Sequence, residues 1–195
     1  MNFTESASIV GSKWLARSSL AVAPDLIGCT LVRQWEDGQR LRGTIVETEA
    51  YGLQDPACHA YRRQTARNSV MFGSAGRIYV YLIYGIYHCL NIVTDLDGVP
   101  SAVLIRALQL ESLPSGIDSP KPHRLAAGPG KLCMALQIDR SFNGQWLQPG
   151  EALYLEHRLP SFEPSLVQTT RIGLTQGADL PWRWYLKDCP AVSKF

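Results

Sequence analysis

The sequence predicts a single α+β domain, and three observations carry that expectation. An Asp-Gly pair at 37–38 separates two strand-like runs, 30–35 and 41–51, a strong hairpin signal. A second hairpin is expected over RIYVYLIYGIYHCLNIVT at 77–94, where β-branched and aromatic residues crowd both sides of Gly85. At 195 residues, with 46% hydrophobic and 18% charged residues, the chain is long and apolar enough for one substantial core.

Taken in order, residues 1–13 are expected as a flexible N-terminal arm. Trp14 to Ile27 has helical spacing at Leu15, Leu20, Val22, Leu26 and Ile27, with Pro24-Asp25 opening a second piece and Gly28 closing it. In the following strand, RGTIVETEAY, alternation puts Ile45, Glu47, Glu49 and Tyr51 on one face and Thr44, Val46 and Thr48 on the other. Two carboxylates and a tyrosine on one rigid face suit a reactive site, although solvent-facing strands carry Glu and Thr equally often. Gly52 to Ser69 is a long irregular loop, and such loops are usually functional. Its candidate working residues are His59, Arg63, Thr65 and Asn68.

In the second hairpin Tyr79 and Tyr81 share a face, while Tyr84 and Ile86 fall at the turn. A hairpin tip is wet and normally takes Asn, Asp, Ser or Gly, so an aromatic there is an exposed wedge that points to a partner. No carboxylate occurs between Asp55 and Asp95, yet Arg62, Arg63, Arg67 and Arg77 lie there with His59 and His88. Positive charge beside an aromatic wedge suits a phosphate backbone and bases to be prised apart. A buried hairpin with tyrosines in its core accounts for the same residues equally well.

Leu96-Asp97-Gly98 turns the chain into SAVLIRA at 101–107, with Arg106 at its end. A buried arginine demands an anion, and Glu49 is the candidate; a solvated strand end is the alternative. Leu113 to Pro122 reads as a surface connection. A helix beginning near Pro129 carries Leu132, Cys133, Leu136 and Ile138 on its apolar face, and Gly128, Gly130 and Lys131 offer a phosphate a place at its start. Ser141 to Gly144 is a turn, Leu153 to Glu156 a strand, and Trp182 to Leu186 a closing strand with its rings in the core. Arg171-Ile172-Gly173 ends a helix or begins a loop. No chemistry is legible in this last third.

The net charge of +2 is too small to mark a nucleic-acid binder by itself. Five cysteines without a CxxC pair argue for a reducing compartment. Cys58-His59 and His88-Cys89 match no common zinc spacing, so no metal is expected. With no basic, apolar leader and no run near the roughly 20 residues of a membrane span, the expectation is a soluble cytoplasmic protein without cofactor.

VETEAY at 46–51, HAYRRQTARN at 59–68, MFG at 71–73, YVYLIYG at 79–85, CLNIV at 89–93, LIRA at 104–107 and GPGKLCMAL at 128–136 stand in one order. Together they resemble the alkyladenine (3-methyladenine) DNA glycosylase family, monofunctional enzymes that excise alkylated and deaminated purines. The similarity runs from about Leu26 to Ser193. It implies a curved, largely antiparallel sheet with helices around it and the second hairpin protruding. It also implies Glu49 as the base that activates water and Arg106 as the arginine that helps hold that water. By the same resemblance, Tyr51, His59 and Tyr81 sandwich a flipped base, Asn91 crowds the exocyclic amine of guanine, and Tyr84 fills the gap in the stack. The implied partner is double-stranded DNA containing damaged purines (3-methyladenine, 7-methylguanine, hypoxanthine, ethenoadenine), bound by a monomer, with Arg63, Thr65 and Lys131 as candidates for the backbone. Three positions depart from the pattern: Arg62 replaces a usual glycine, Ala66 a usual proline and Ala191 a usual aromatic.

Two rival readings remain at this point. Glu47 and Glu49 could serve a carbohydrate hydrolase, since alternate strand residues lie roughly 6–7 Å apart. The basic, aromatic surface could equally belong to a nucleic-acid-binding module without chemistry.

Overall fold

A twelve-residue strand with three neighbours organises the chain. A computed structural model describes residues 8–194. Strands β1 (Thr30–Gln34) and β2 (Arg40–Tyr51) form the hairpin expected around Asp37-Gly38. β3 (Ile78–Ile83) and β4 (Tyr87–Val93) form the second, followed by β5 (Ala102–Leu110) and β6 (Leu153–Glu156). The sheet runs β3-β4-β5-β2-β1-β6, and every pair is antiparallel. β7 (Leu166–Thr169), which the sequence did not announce, pairs with β8 (Arg183–Leu186). One edge of β2 bonds β5 along its length, whereas the other is shared: residues 40–44 pair with β1 and 47–49 with β8. This fork curls the sheet and leaves the second half of β2 between β5 and β8. The fold is the mixed, curled antiparallel domain that was expected.

The alternation predicted for β2 needs a correction. Register shifts flank Glu47, so that Ile45 faces Leu108 while Glu47 faces Ala107. Ile45 consequently enters the main core with Ile105 and Leu108, and Val46 joins Ala107, Cys189 and Val192 in a small separate cluster. Ile45 therefore does not share a face with Glu47, nor Val46 with Thr48, whose hydroxyl donates to the Ala23 carbonyl at 2.9 Å. Irregularities of this kind re-aim side chains next to reactive sites.

Helix α1 (Ser12–Leu15) and helix α2 (Ser19–Asp25) replace the two pieces expected over 14–27. The second begins at Ser18, whose hydroxyl accepts the Ala21 N–H, and Pro24 lies inside its last turn instead of opening it. A proline there forfeits one helical hydrogen bond near an end that frays in any case. Of the arm expected over 1–13, residues 1–7 lie outside the described residues. Residues 8–13 belong to the fold: Ile9 bridges Glu156, Val10 is buried, and Ser12 opens α1.

Helix α3 (Pro129–Ala135) buries Leu132, Cys133 and Ala135. Gly130 permits the second hairpin to dock on it, because a Cβ there would stand 2.9 Å from Cδ1 of Tyr87. β5 runs on to Leu110, so Arg106 sits within a strand and not at its end.

Candidate active site

Glu49 is fully buried in the second half of β2, with both carboxylate oxygens engaged. Its Oε2 accepts the Tyr51 hydroxyl at 2.8 Å, and its Oε1 accepts the backbone N–H of Ile172 at 2.8 Å. Nη1 of Arg106, from the neighbouring strand β5, lies 3.3 Å from the same Oε1. Burial alone would lower the pKa of Arg106, but the charges of Glu49 and Glu47 outweigh it and the net shift is upward. Burial first, and the Glu49 charge second, raise the Tyr51 phenol, which keeps it a hydrogen-bond donor.

Glu47 is buried and differently placed. Its Oε1 accepts Nε of Arg106, Nη1 of Arg183 and the Ser193 hydroxyl, each at 2.9 Å, while its Oε2 accepts the Ser193 N–H at 2.7 Å. Glu47 accepts four hydrogen bonds from the protein, is fully buried and lines neither cavity of the site, so it is not presented to a substrate. That removes the paired-carboxylate hydrolase, and it makes Glu47 the anchor that holds Arg106 beside Glu49.

Two joined cavities open over this floor. A cleft of about 540 Å³ is lined by Glu49, Arg106, Tyr84, Lys131 and Ile172, and a smaller pocket of about 170 Å³ by His59, Arg67, Tyr79 and Asn91; Tyr51 and Tyr81 line both. The larger cavity of about 760 Å³ beside Trp14, His157 and Phe162 contains none of these groups. In the pocket the His59 ring meets Tyr81 edge-on at 4.5 Å, and His59 Nδ1 lies 2.9 Å from the Tyr79 hydroxyl. Burial first, and the Arg67 charge second, lower the His59 pKa. Buried Asn91 is held in one orientation by Nδ2, which donates to the carbonyls of Tyr79 (3.0 Å) and Cys89 (3.3 Å).

The hairpin tip stands clear of the domain, with Tyr84 81% and Ile86 69% exposed. The backbone at Tyr84 has φ 53° and at Gly85 φ 72°, a turn in which both central residues are left-handed. Asn-Gly is the usual solution there, so a tyrosine holds a strained conformation at the one place where its ring is fully presented. Each reading of the hairpin thus holds for part of it: Tyr79 is buried and Tyr84 is not.

The other expected residues divide. Lys131 is exposed at the cleft, whereas exposed Arg63 and Thr65 line neither cavity. Asn68 is a buried loop clamp, donating to the carbonyls of His59 and Arg63 and accepting the Thr65 N–H, so it is not a contact residue. Arg77 packs on the Trp146 ring at 3.8 Å and donates to the Gly144 carbonyl, which removes it from the basic run. Among the described residues no group of three His, Cys, Asp or Glu side chains could hold a metal ion, and no helix is long and apolar enough to cross a membrane.

Sequence reasoning missed the contribution of the last third. Arg171 and Asp55 form an ion pair with both side chains fully buried. The guanidinium also bonds the Ala50 and Gly177 carbonyls and lies 4.6 Å from the centre of the Tyr51 ring. It fixes the segment whose next amide, that of Ile172, reaches Glu49. In the sequence Arg171 and Asp179 are the only charged residues between Glu163 and Arg183, and no local pattern linked Arg171 to Asp55.

A family model described as methylpurine-DNA glycosylase (MPG) matches residues 13–190. A protein of Trichodesmium erythraeum named "Putative 3-methyladenine DNA glycosylase" is 59% identical over 196 residues, covering 95% of this chain and 98% of its own. Proteins of the same name from Synechococcus sp. strain JA-3-3Ab and Methanocella arvoryzae are 57% and 49% identical, covering 94% and 91% of this chain and 98% and 92% of their own. The chain belongs to the methylpurine-DNA glycosylase family, and is a DNA-repair enzyme that hydrolyses N-glycosyl bonds in DNA.

Proposed function

We propose that the protein is a monofunctional glycosylase that swings alkylated or deaminated purines (3-methyladenine, 7-methylguanine, hypoxanthine and ethenoadenine) out of duplex DNA and releases them with water activated by Glu49. The single observation that carries this is the position of Glu49: a buried carboxylate beside a guanidinium, at the floor of a ring-lined cavity that an exposed tyrosine overhangs.

A base inside the duplex cannot be reached by water, so the nucleotide must leave the stack at a cost of about a few kcal/mol. Tyr84, inserted in the vacancy, partly restores that stacking. Tyr51, His59 and Tyr81 then hold the extruded base, and Asn91 disfavours normal guanine by crowding its amine. As the glycosidic bond opens, positive charge grows on the sugar, and a nearby anion favours it. Glu49 supplies that anion and takes a proton from the attacking water, which Arg106 helps to hold. Lys131, with Arg63 and Thr65 on the loop, contacts the phosphate backbone, and one copy of the chain acts on each lesion.

The test is incubation with duplexes carrying one defined lesion, scored for free base. Release by the unaltered protein with none by Glu49→Gln, while that variant still binds the damaged duplex, is the expected result. Near-normal release by Glu49→Gln overturns the assignment. Salt-dependent binding without release from any lesion returns the protein to a binding module.

A further inference from the structure

Arg67 lines the smaller pocket together with Tyr51, His59, Tyr79, Tyr81 and Asn91. Its guanidinium carbon lies over the Tyr81 ring, 5.7 Å from the centroid. Arg67 enters none of the ion pairs among the described residues. The carboxylates on this side are engaged elsewhere: Glu49 by Tyr51, Ile172 and Arg106, and Asp55 by Arg171. The pocket therefore contains a positive charge that no acid beside it neutralises.

A consequence follows for a base entering the pocket. A purine alkylated at N3 or N7 is a cation, and it would meet like charge within a few ångströms while competing with Arg67 for the face of Tyr81. A neutral purine meets neither obstacle.

Resting on the glycosylase reading above, we infer that Arg67 is a specificity-determining residue that weights the pocket toward neutral purines and against cationic ones.

The experiment compares single-turnover base release from two duplexes of one sequence, one with a single 7-methylguanine (cationic) and one with a single hypoxanthine (neutral). Arg67→Gln removes the charge; Arg67→Lys keeps it. The rate ratio of 7-methylguanine to hypoxanthine is expected to rise about tenfold in Arg67→Gln, a small fraction of an unscreened like-charge interaction, and to stay near its original value in Arg67→Lys. Arg67 is exposed, so both variants should fold, and hypoxanthine release by Arg67→Gln is the internal check. Equal changes for both lesions would mark a phosphate contact and overturn the inference, as would an unchanged ratio. Should the unaltered protein release neither base, the glycosylase reading itself fails and the inference with it.

Discussion

Glu47 and Glu49 share one guanidinium: Nε of Arg106 donates to the first at 2.9 Å, and its Nη1 lies 3.3 Å from the second. Two carboxylates on alternate positions of one strand thereby take opposite parts, because three further donors from Arg183 and Ser193 close off Glu47 while Glu49 lines the cleft. Substitutions should separate them. Glu49→Gln is expected to slow base release by about 10²–10⁴-fold, the usual worth of a positioned acid or base, with damaged-duplex binding retained. Glu47→Gln leaves Arg106 and Arg183 facing an uncharged group and should destabilise the fold by about 3–5 kcal/mol. Urea unfolding of both variants beside base-release assays checks the pair; a stable, active Glu47→Gln protein contradicts the anchor role.

Tyr84 occupies a left-handed turn position that asparagine tolerates better. Tyr84→Asn should therefore stabilise the folded protein by about 1 kcal/mol in urea unfolding. The same change, like Tyr84→Ser, should weaken capture of damaged duplex. Affinity equal to that of the unaltered protein would show that the ring inserts nowhere.

The buried pair of Asp55 and Arg171 reaches the reaction only through what it holds in place, the Tyr51 ring and the Ile172 amide. Asp55→Asn is expected to lose about 3–5 kcal/mol of stability. Below its melting range the surviving folded protein should release base more slowly while binding damaged duplex nearly as well. A rate equal to wild type at that temperature would make the pair purely structural.

His59 has its pKa lowered in the fold, by burial first and Arg67 second, so the folded state prefers the neutral ring. In the unfolded chain the ring takes up a proton near pH 6.5. The stability associated with a neutral His59 is thus complete above that pH and is lost as the pH falls through the lower folded value. His157 is shifted the same way by burial, Arg158 and Arg17. Urea midpoints at about pH 7.5 and about pH 5 should differ less in His59→Gln than in the unaltered protein, with the remainder owed to His157.

Lys131 is the lysine that lines the cleft, and it is exposed. Water rather than an amine is the proposed nucleophile, so borohydride should trap no covalent DNA adduct, and the strand should stay intact. Lys131→Gln should weaken binding to damaged and undamaged duplex alike and reduce the salt slope by about one. A trapped adduct that disappears in Lys131→Gln would replace Glu49-activated water with an amine.

Local patterns made much of this protein legible. Asp37-Gly38 and Tyr84-Gly85 sit at the hairpin turns, since turn geometry is set by a few adjacent residues. The exposure of Tyr84 follows from the same logic, as does the helix opening at Pro129. The ordered run of motifs carried the family. Alternation along β2 failed at Ile45 and Val46 because the irregularity is a property of the β2–β5 pairing and not of either strand alone. The partners of the two glutamates were likewise beyond local reading: Ile172 lies 123 residues from Glu49, and Ser193 lies 146 residues from Glu47. Side-chain types along the chain determined which groups could react, whereas only the folded backbone decided which carboxylate was silenced and which was left facing the cavity. A buried charge takes its character from the donors that surround it, and here those donors arrive from the far end of the chain.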